Sequence, residues 1–119
     1  MTRADITTNA AAPTGAAIAA LNDRFRRSLG YGGKWCSTCG IAALPPLDQL
    51  AIVVKVMEFD SFTPDDVHDF GAFEHAGMHL FWKIDYYDRA AFLRGDEVGS
   101  ANPADPEATF RVLTIMFAQ

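Results

Sequence analysis

The chain has 119 residues, half of them apolar and 21% charged, with nine Phe, three Tyr and two Trp. That is ordinary globular composition for one domain and argues against disorder. A formal net charge of −5 disfavours direct binding to nucleic acid, whose phosphates would be repelled. No apolar run approaches the roughly 18 residues of a membrane span. Segment 1–12, MTRADITTNAAA, lacks the apolar block of a signal peptide. It reads as a flexible N-terminal tail on a cytoplasmic protein, with 13–119 as a single α+β domain.

The periodicity predicts a first helix over 14–29. Ile18, Leu21, Phe25 and Leu29 form one apolar stripe, and Arg24, Arg26 and Arg27 lie off it in the last turn, where cations suit the helix dipole. Gly30-Tyr31-Gly32-Gly33 stops the helix, and a short strand over 34–39 follows. Pro46 opens a second helix. Its main stripe is read as Leu47, Leu50, Ala51, Val54 and Met57, while Ile52, Val53, Val56 and Phe59 make it apolar almost all round.

A β-hairpin over 68–88 is the centre of the predicted fold, turning at Ala76-Gly77. This register pairs His75 with Met78, Phe73 with Leu80, Gly71 with Trp82, Phe70 with Lys83 and His68 with Asp85. Phe73, Leu80, Trp82, Ile84 and Tyr86 then share the core face. Residues 89–104 read as a long loop. A last helix is expected from Asp105, Pro106 and Glu107, with Phe110, Leu113 and Phe117 inside. The fold class is therefore α+β, a small antiparallel sheet built on a central β-hairpin and packed by about three helices.

Several motifs are apparent only. Trp35-Cys36-Ser37-Thr38-Cys39 has the letters of a thiol redox turn, but no buried strand precedes it and Pro45-Pro46 interrupt the helix that should follow. In a reducing compartment Cys36 and Cys39 are expected unbridged, as small buried hydrophobes. Cys36, Cys39, His75 and His79 make four zinc-type ligands, yet the hairpin register sends the two histidines to opposite faces. No metal or other cofactor is expected. The pair with some chemical content is His68 with Asp85, beside Lys83, because a carboxylate can orient an imidazole as a general base.

Charge is unevenly placed. Residues 1–35 carry five bases against two acids, and the remainder thirteen acids against five bases. Glu58, Asp60, Asp65, Asp66, Asp69 and Glu74 follow one another with no Lys or Arg between them. Such a run steers basic protein partners.

Four strings carry a family likeness: Ile18-Ala19-Ala20-Leu21-Asn22-Asp23-Arg24-Phe25-Arg26, His68-Asp69-Phe70-Gly71-Ala72-Phe73-Glu74, Phe81-Trp82-Lys83-Ile84-Asp85-Tyr86-Tyr87-Asp88 and Arg111-Val112-Leu113-Thr114-Ile115-Met116. Together, over about 17–117, they resemble a bacterial and mobile-element family of uncharacterised small proteins, domain of unknown function 3768. Where relatives are expected to carry Thr-Arg-Gly, this chain has Thr38-Cys39-Gly40, which further weakens a redox or zinc role. The resemblance brings no activity with it. It implies a setting on plasmids and prophages, where small acidic proteins block host restriction or CRISPR systems by binding them.

The leading expectation is a non-enzymatic protein-binding module, an anti-CRISPR or anti-restriction inhibitor of a host-defence nucleoprotein complex. Its contact residues are Glu58, Asp60, Asp65, Asp66, Asp69, Glu74, Phe81 and Lys83. The alternatives are a small hydrolase or transferase using His68 and Asp85, and a homodimeric structural module joined through the second helix.

Overall fold

A computed structural model describes residues 11–118. Most of the expected tail, 1–10, lies outside the described residues; residues 11 and 12 belong to the first helix, α1 (Ala11–Arg27). Its last turn holds Arg24, Arg26 and Arg27, as the helix dipole favours. Leu29 (φ 59°) and Gly30 (φ 92°) then enter the left-handed region, and the Gly30 N–H donates back to the Phe25 carbonyl at 2.9 Å.

Strand β1 (Gly33–Ser37), a single turn α2 (Cys39–Ala42) and helix α3 (Pro46–Met57) follow. The hairpin consists of β2 (Phe70–His75) and β3 (Met78–Asp88), and α4 (Arg89–Leu93) leads towards β4 (Thr109–Phe117). The four strands form one sheet in the order β1-β4-β3-β2, antiparallel except where β1 runs parallel to β4. The fold is α+β, with two long helices and two short ones among the described residues.

The hairpin turns where the sequence places it. Ala76 (φ 52°) and Gly77 (φ 80°) are both left-handed, the signature of the tight turn whose twist matches its strands. Every expected pair from Phe70–Lys83 to His75–Met78 is present. Leu80, Trp82 and Ile84 are buried on one face, with Phe73 and Tyr86 packed beside them. Gly71 is required opposite Trp82, because a Cβ there would collide with the indole and with Phe59.

Phe25 of α1, Ile41 of α2, and Ile52 and Val56 of α3 close the core over this face, against Leu113 and Ile115 of β4. The other face is left mostly bare, and of the described helices only α4 reaches it. Phe92 stacks there on Phe110, with ring centroids 4.5 Å apart, and lies 5.1 Å from Tyr87.

Three expectations need correction. The last segment is strand β4, not a helix. Asp105 Oδ1 does accept the Glu107 N–H at 2.9 Å, but this closes a local turn rather than capping a helix. The run Val112-Leu113-Thr114-Ile115 sits between two strands and is buried almost continuously, which erases the alternation that marks a strand. In α3 the buried positions are Ile52 and Val56, whereas Leu47, Leu50 and Val54 of the expected stripe are 81%, 60% and 39% exposed. A helix apolar all round offers two stripes, and periodicity does not choose between them. Residues 89–104 begin with helix α4, capped by Asp88 Oδ2 accepting the Ala91 N–H at 2.9 Å. The chain then returns along β3 through a bridge between Tyr87 and Gly99.

Candidate functional site

Arg26, which lies off the apolar stripe of α1, is nevertheless fully buried. Its Nη1 donates to the carbonyls of Val56 (2.8 Å), Met57 (3.2 Å) and Phe59 (2.8 Å), at and just past the end of helix α3. Its Nη2 donates to Asp23 Oδ1 at 2.6 Å. The guanidinium also lies over Trp82 and Phe62, at 5.0 and 5.4 Å from the ring centres. Burial lowers the pKa of Arg26, and the Asp23 carboxylate opposes that shift. The arginine thus ties α1 to the carbonyl end of α3.

A second polar chain crosses beneath α1. Asn22, fully buried, donates from Nδ2 to the Val67 carbonyl (2.9 Å) and to the Tyr86 hydroxyl (2.8 Å). The Tyr86 hydroxyl donates to Asp69 Oδ2 at 3.0 Å. Asn22 Oδ1 accepts from Arg111 Nε at 2.6 Å. Burial pushes the Tyr86 phenol well above its usual range, and the hydrogen bond from Asn22 counters part of this. Sequence reasoning missed Asn22, Arg26 and Arg111. One signal was available: Asn22 and Arg26 are four residues apart, directly beside the stripe positions Leu21 and Phe25.

His68 and Asp85 are not brought together. The ladder from β3 extends only to Asp69, whose carbonyl accepts the Ile84 N–H at 2.8 Å. His68 leaves the strand in a left-handed conformation, φ 62°, with its N–H held by Asp66 Oδ1 at 2.6 Å. Its ring stacks on Phe62 with centroids 3.9 Å apart, and its Nδ1 lies 2.9 Å from Asp23 Oδ1. This places His68 on the helix-covered side, whereas Asp85 pairs with Lys83 at 3.1 Å on the bare face. One left-handed residue breaks the alternation on which the expected pair depended.

His68 borders a cleft of about 540 Å³. Gly15, Ala16, Ala19 and Ala20 of α1 form one wall, and Asp23, Asp65 and Asp66 stand with the imidazole. An imidazole oriented by a carboxylate is half of an acid–base apparatus. Among the described residues lining this cleft there is no serine, threonine or cysteine to serve as a nucleophile.

The expected contact residues divide into three groups. Glu58, Asp60, Asp65 and Glu74 are exposed. Asp66 and Asp69 turn inward to serve His68 and Tyr86. Phe81 lies half-buried on the bare face, 5.1 Å from the ring of Phe70, with exposed Lys83 on the same strand. Glu74 stands across from His79 there, 3.4 Å away.

The cysteines correct another expectation, since Cys36 is only half-buried and Cys39 is exposed. His75 turns to Asp48 (2.9 Å) and His79 to Glu74, so the two histidines do face opposite ways. Among the described residues no group of three or more His, Cys, Asp or Glu is gathered to hold a metal. No helix among them is long and apolar enough to cross a membrane.

Residues 37–119 match the family model described as protein of unknown function, DUF3768. The chain belongs to this family. The match takes in β2, β3, β4 and the three later helices, and it leaves out α1 and all of β1 except Ser37. Three of the four strings that carry the resemblance lie inside the matched region; the Ile18-to-Arg26 string lies outside it. No curated protein and no solved structure matches the chain.

Proposed function

We propose that this chain is a non-enzymatic protein-binding module whose acidic side meets a basic surface on a host-defence nucleoprotein complex and inhibits it. One observation carries the reading. Glu58, Asp60 and Asp65 are exposed, and none has a cationic partner within 4.0 Å among the described residues. Asp23, Asp85 and Asp96, by contrast, are all paired with Arg or Lys. Unpaired surface acids accelerate encounter with a basic partner and add little to the fold. The bare sheet face, with Phe70 at 49% exposure beside Phe81, supplies apolar surface for the contact that follows. The mobile-element setting implied by the family resemblance points to a defence complex as partner.

The variant to test is Asp60→Lys with Asp65→Lys. Asp66 is left intact because it holds the His68 N–H. The doubly reversed protein should keep its melting temperature and lose inhibition of restriction or CRISPR interference in a plating assay. Wild-type inhibition should weaken with salt, as the screening length falls from about 10 Å at roughly 0.1 M to about 3 Å at roughly 1 M. Full inhibition by the reversed variant would sink the reading.

A second reading is self-association through α3, favoured by the solvent-facing Leu47, Leu50 and Val54. Sedimentation should then show a dimer that Leu50→Glu converts to monomer. A wild-type monomer at all concentrations would end it.

A further inference from the structure

At the opposite edge of the sheet from the acidic segment, a cleft of about 520 Å³ opens between α1, the start of β1 and the approach to β4. Its volume lies within the roughly 300–1,000 Å³ of small-molecule sites. Three arginines line it, Arg24, Arg89 and Arg111, with Glu107 the one carboxylate among the described residues of its walls. In a chain of net charge −5 this is a local excess of cation.

Two of these guanidiniums have no carboxylate partner among the described residues. Arg111 is 5% exposed, and its polar contacts are the Asn22 amide oxygen and the Pro103 carbonyl, both at 2.6 Å and both neutral. Arg89 donates from Nη2 to the carbonyls of Gly32 (2.9 Å), Thr109 (3.1 Å) and Pro106 (3.3 Å), again neutral acceptors. Neither forms an ion pair with a carboxylate among the described residues, although Arg26 and Arg94 do. Arg111 Nη1 has no partner among them at all. Holding a nearly dry guanidinium against neutral acceptors is costly unless an anion completes it. Burial accordingly pulls the Arg111 pKa down.

We infer that this cleft binds a small organic phosphomonoester through Arg24, Arg89 and Arg111. The three cations less Glu107 leave a formal excess of two, which matches the roughly −1.5 to −2 charge of a phosphomonoester at pH 7. Guanidinium forks suit phosphate oxygens, and arginine keeps its charge when partly desolvated. Phe25 and the 75%-exposed ring of Tyr31, which also line the cleft, offer an apolar flank for the organic half.

The test is titration of the full chain with AMP, adenosine and inorganic phosphate, followed by backbone amide NMR shifts. AMP should move the amides of Tyr31, Gly32, Arg89 and Thr109 saturably, adenosine should not, and inorganic phosphate should bind the same place more weakly. Arg24→Glu, at an exposed position without an ion-pair partner among the described residues, should keep the fold and weaken AMP by about tenfold or more, since it sets a like charge against the phosphate. Arg89→Gln should weaken it as well, its folding checked by the unchanged shifts of the hairpin. Absence of saturable shifts, binding of adenosine as tight as AMP, phosphate as tight as AMP, or an unaltered affinity in Arg24→Glu would each overturn the assignment.

Discussion

Replacing Trp82 with alanine is expected to cost roughly 3–5 kcal/mol of unfolding free energy, the range for deleting a large aromatic from a packed core. Trp82 is fully buried, with Phe59 and Phe62 packed edge-to-face at centroid separations of 5.5 and 6.1 Å and the Arg26 guanidinium over it. Gly71 across the ladder has no side chain to fall into the space. The cavity would therefore stay open rather than be refilled, which puts the substitution towards the costly end. Against a typical total stability of about 5–15 kcal/mol, the loss should bring the protein close to unfolding at physiological temperature. Urea denaturation checks it; a midpoint barely moved would mean that the hairpin faces are assigned backwards.

Arg26→Leu should be comparably severe, at about 3–5 kcal/mol, the range for removing one partner of a buried charged cluster. Asp23 is 20% exposed and can recover water, so the main loss falls on the carbonyls of Val56, Met57 and Phe59. Beneath α1 all three lose the guanidinium, and among the described residues only the Val56 carbonyl keeps a second donor, the Phe59 N–H at 3.3 Å. Arg26→Lys should recover only part of the loss, because a single ammonium cannot span three carbonyls and a carboxylate as a planar fork does. Equal stability of the Lys variant and wild type would show that charge alone, and not the fork, joins α1 to α3.

What the sequence made legible follows from how locally each feature is encoded. The hairpin register was readable because three independent local signals agree: alternation along β3, a turn at Ala76-Gly77, and a glycine opposite the tryptophan. Strand β4 was not readable, since its partners on both sides lie far away in the chain and remove the polar face that would mark it. Its apolar spacing happened to suit a helix just after a convincing Asp105-Pro106 start. The site failed for a similar reason. His68 lies one residue before the ladder begins, and only its left-handed backbone turns it from Asp85 towards Asp23. Arg26 and Arg111 are buried by carbonyls from α3 and from the segment before β4, and no local pattern announces those acceptors. The acidic segment was half legible: its outward members are where charge density put them, while Asp66 and Asp69 were claimed by the fold.

Stoichiometry separates binding from chemistry most directly. Purified protein titrated into a fixed amount of the defence complex proposed as its partner should abolish activity linearly, with an end-point near one chain per binding site and no dependence on incubation time. His68→Gln should give the same end-point, because the proposed contact surface does not include the imidazole. Inactivation that continues with time at a small fraction of equimolar protein, and that disappears in His68→Gln, would mean turnover at the Asp23–His68 cleft and would contradict the binding account.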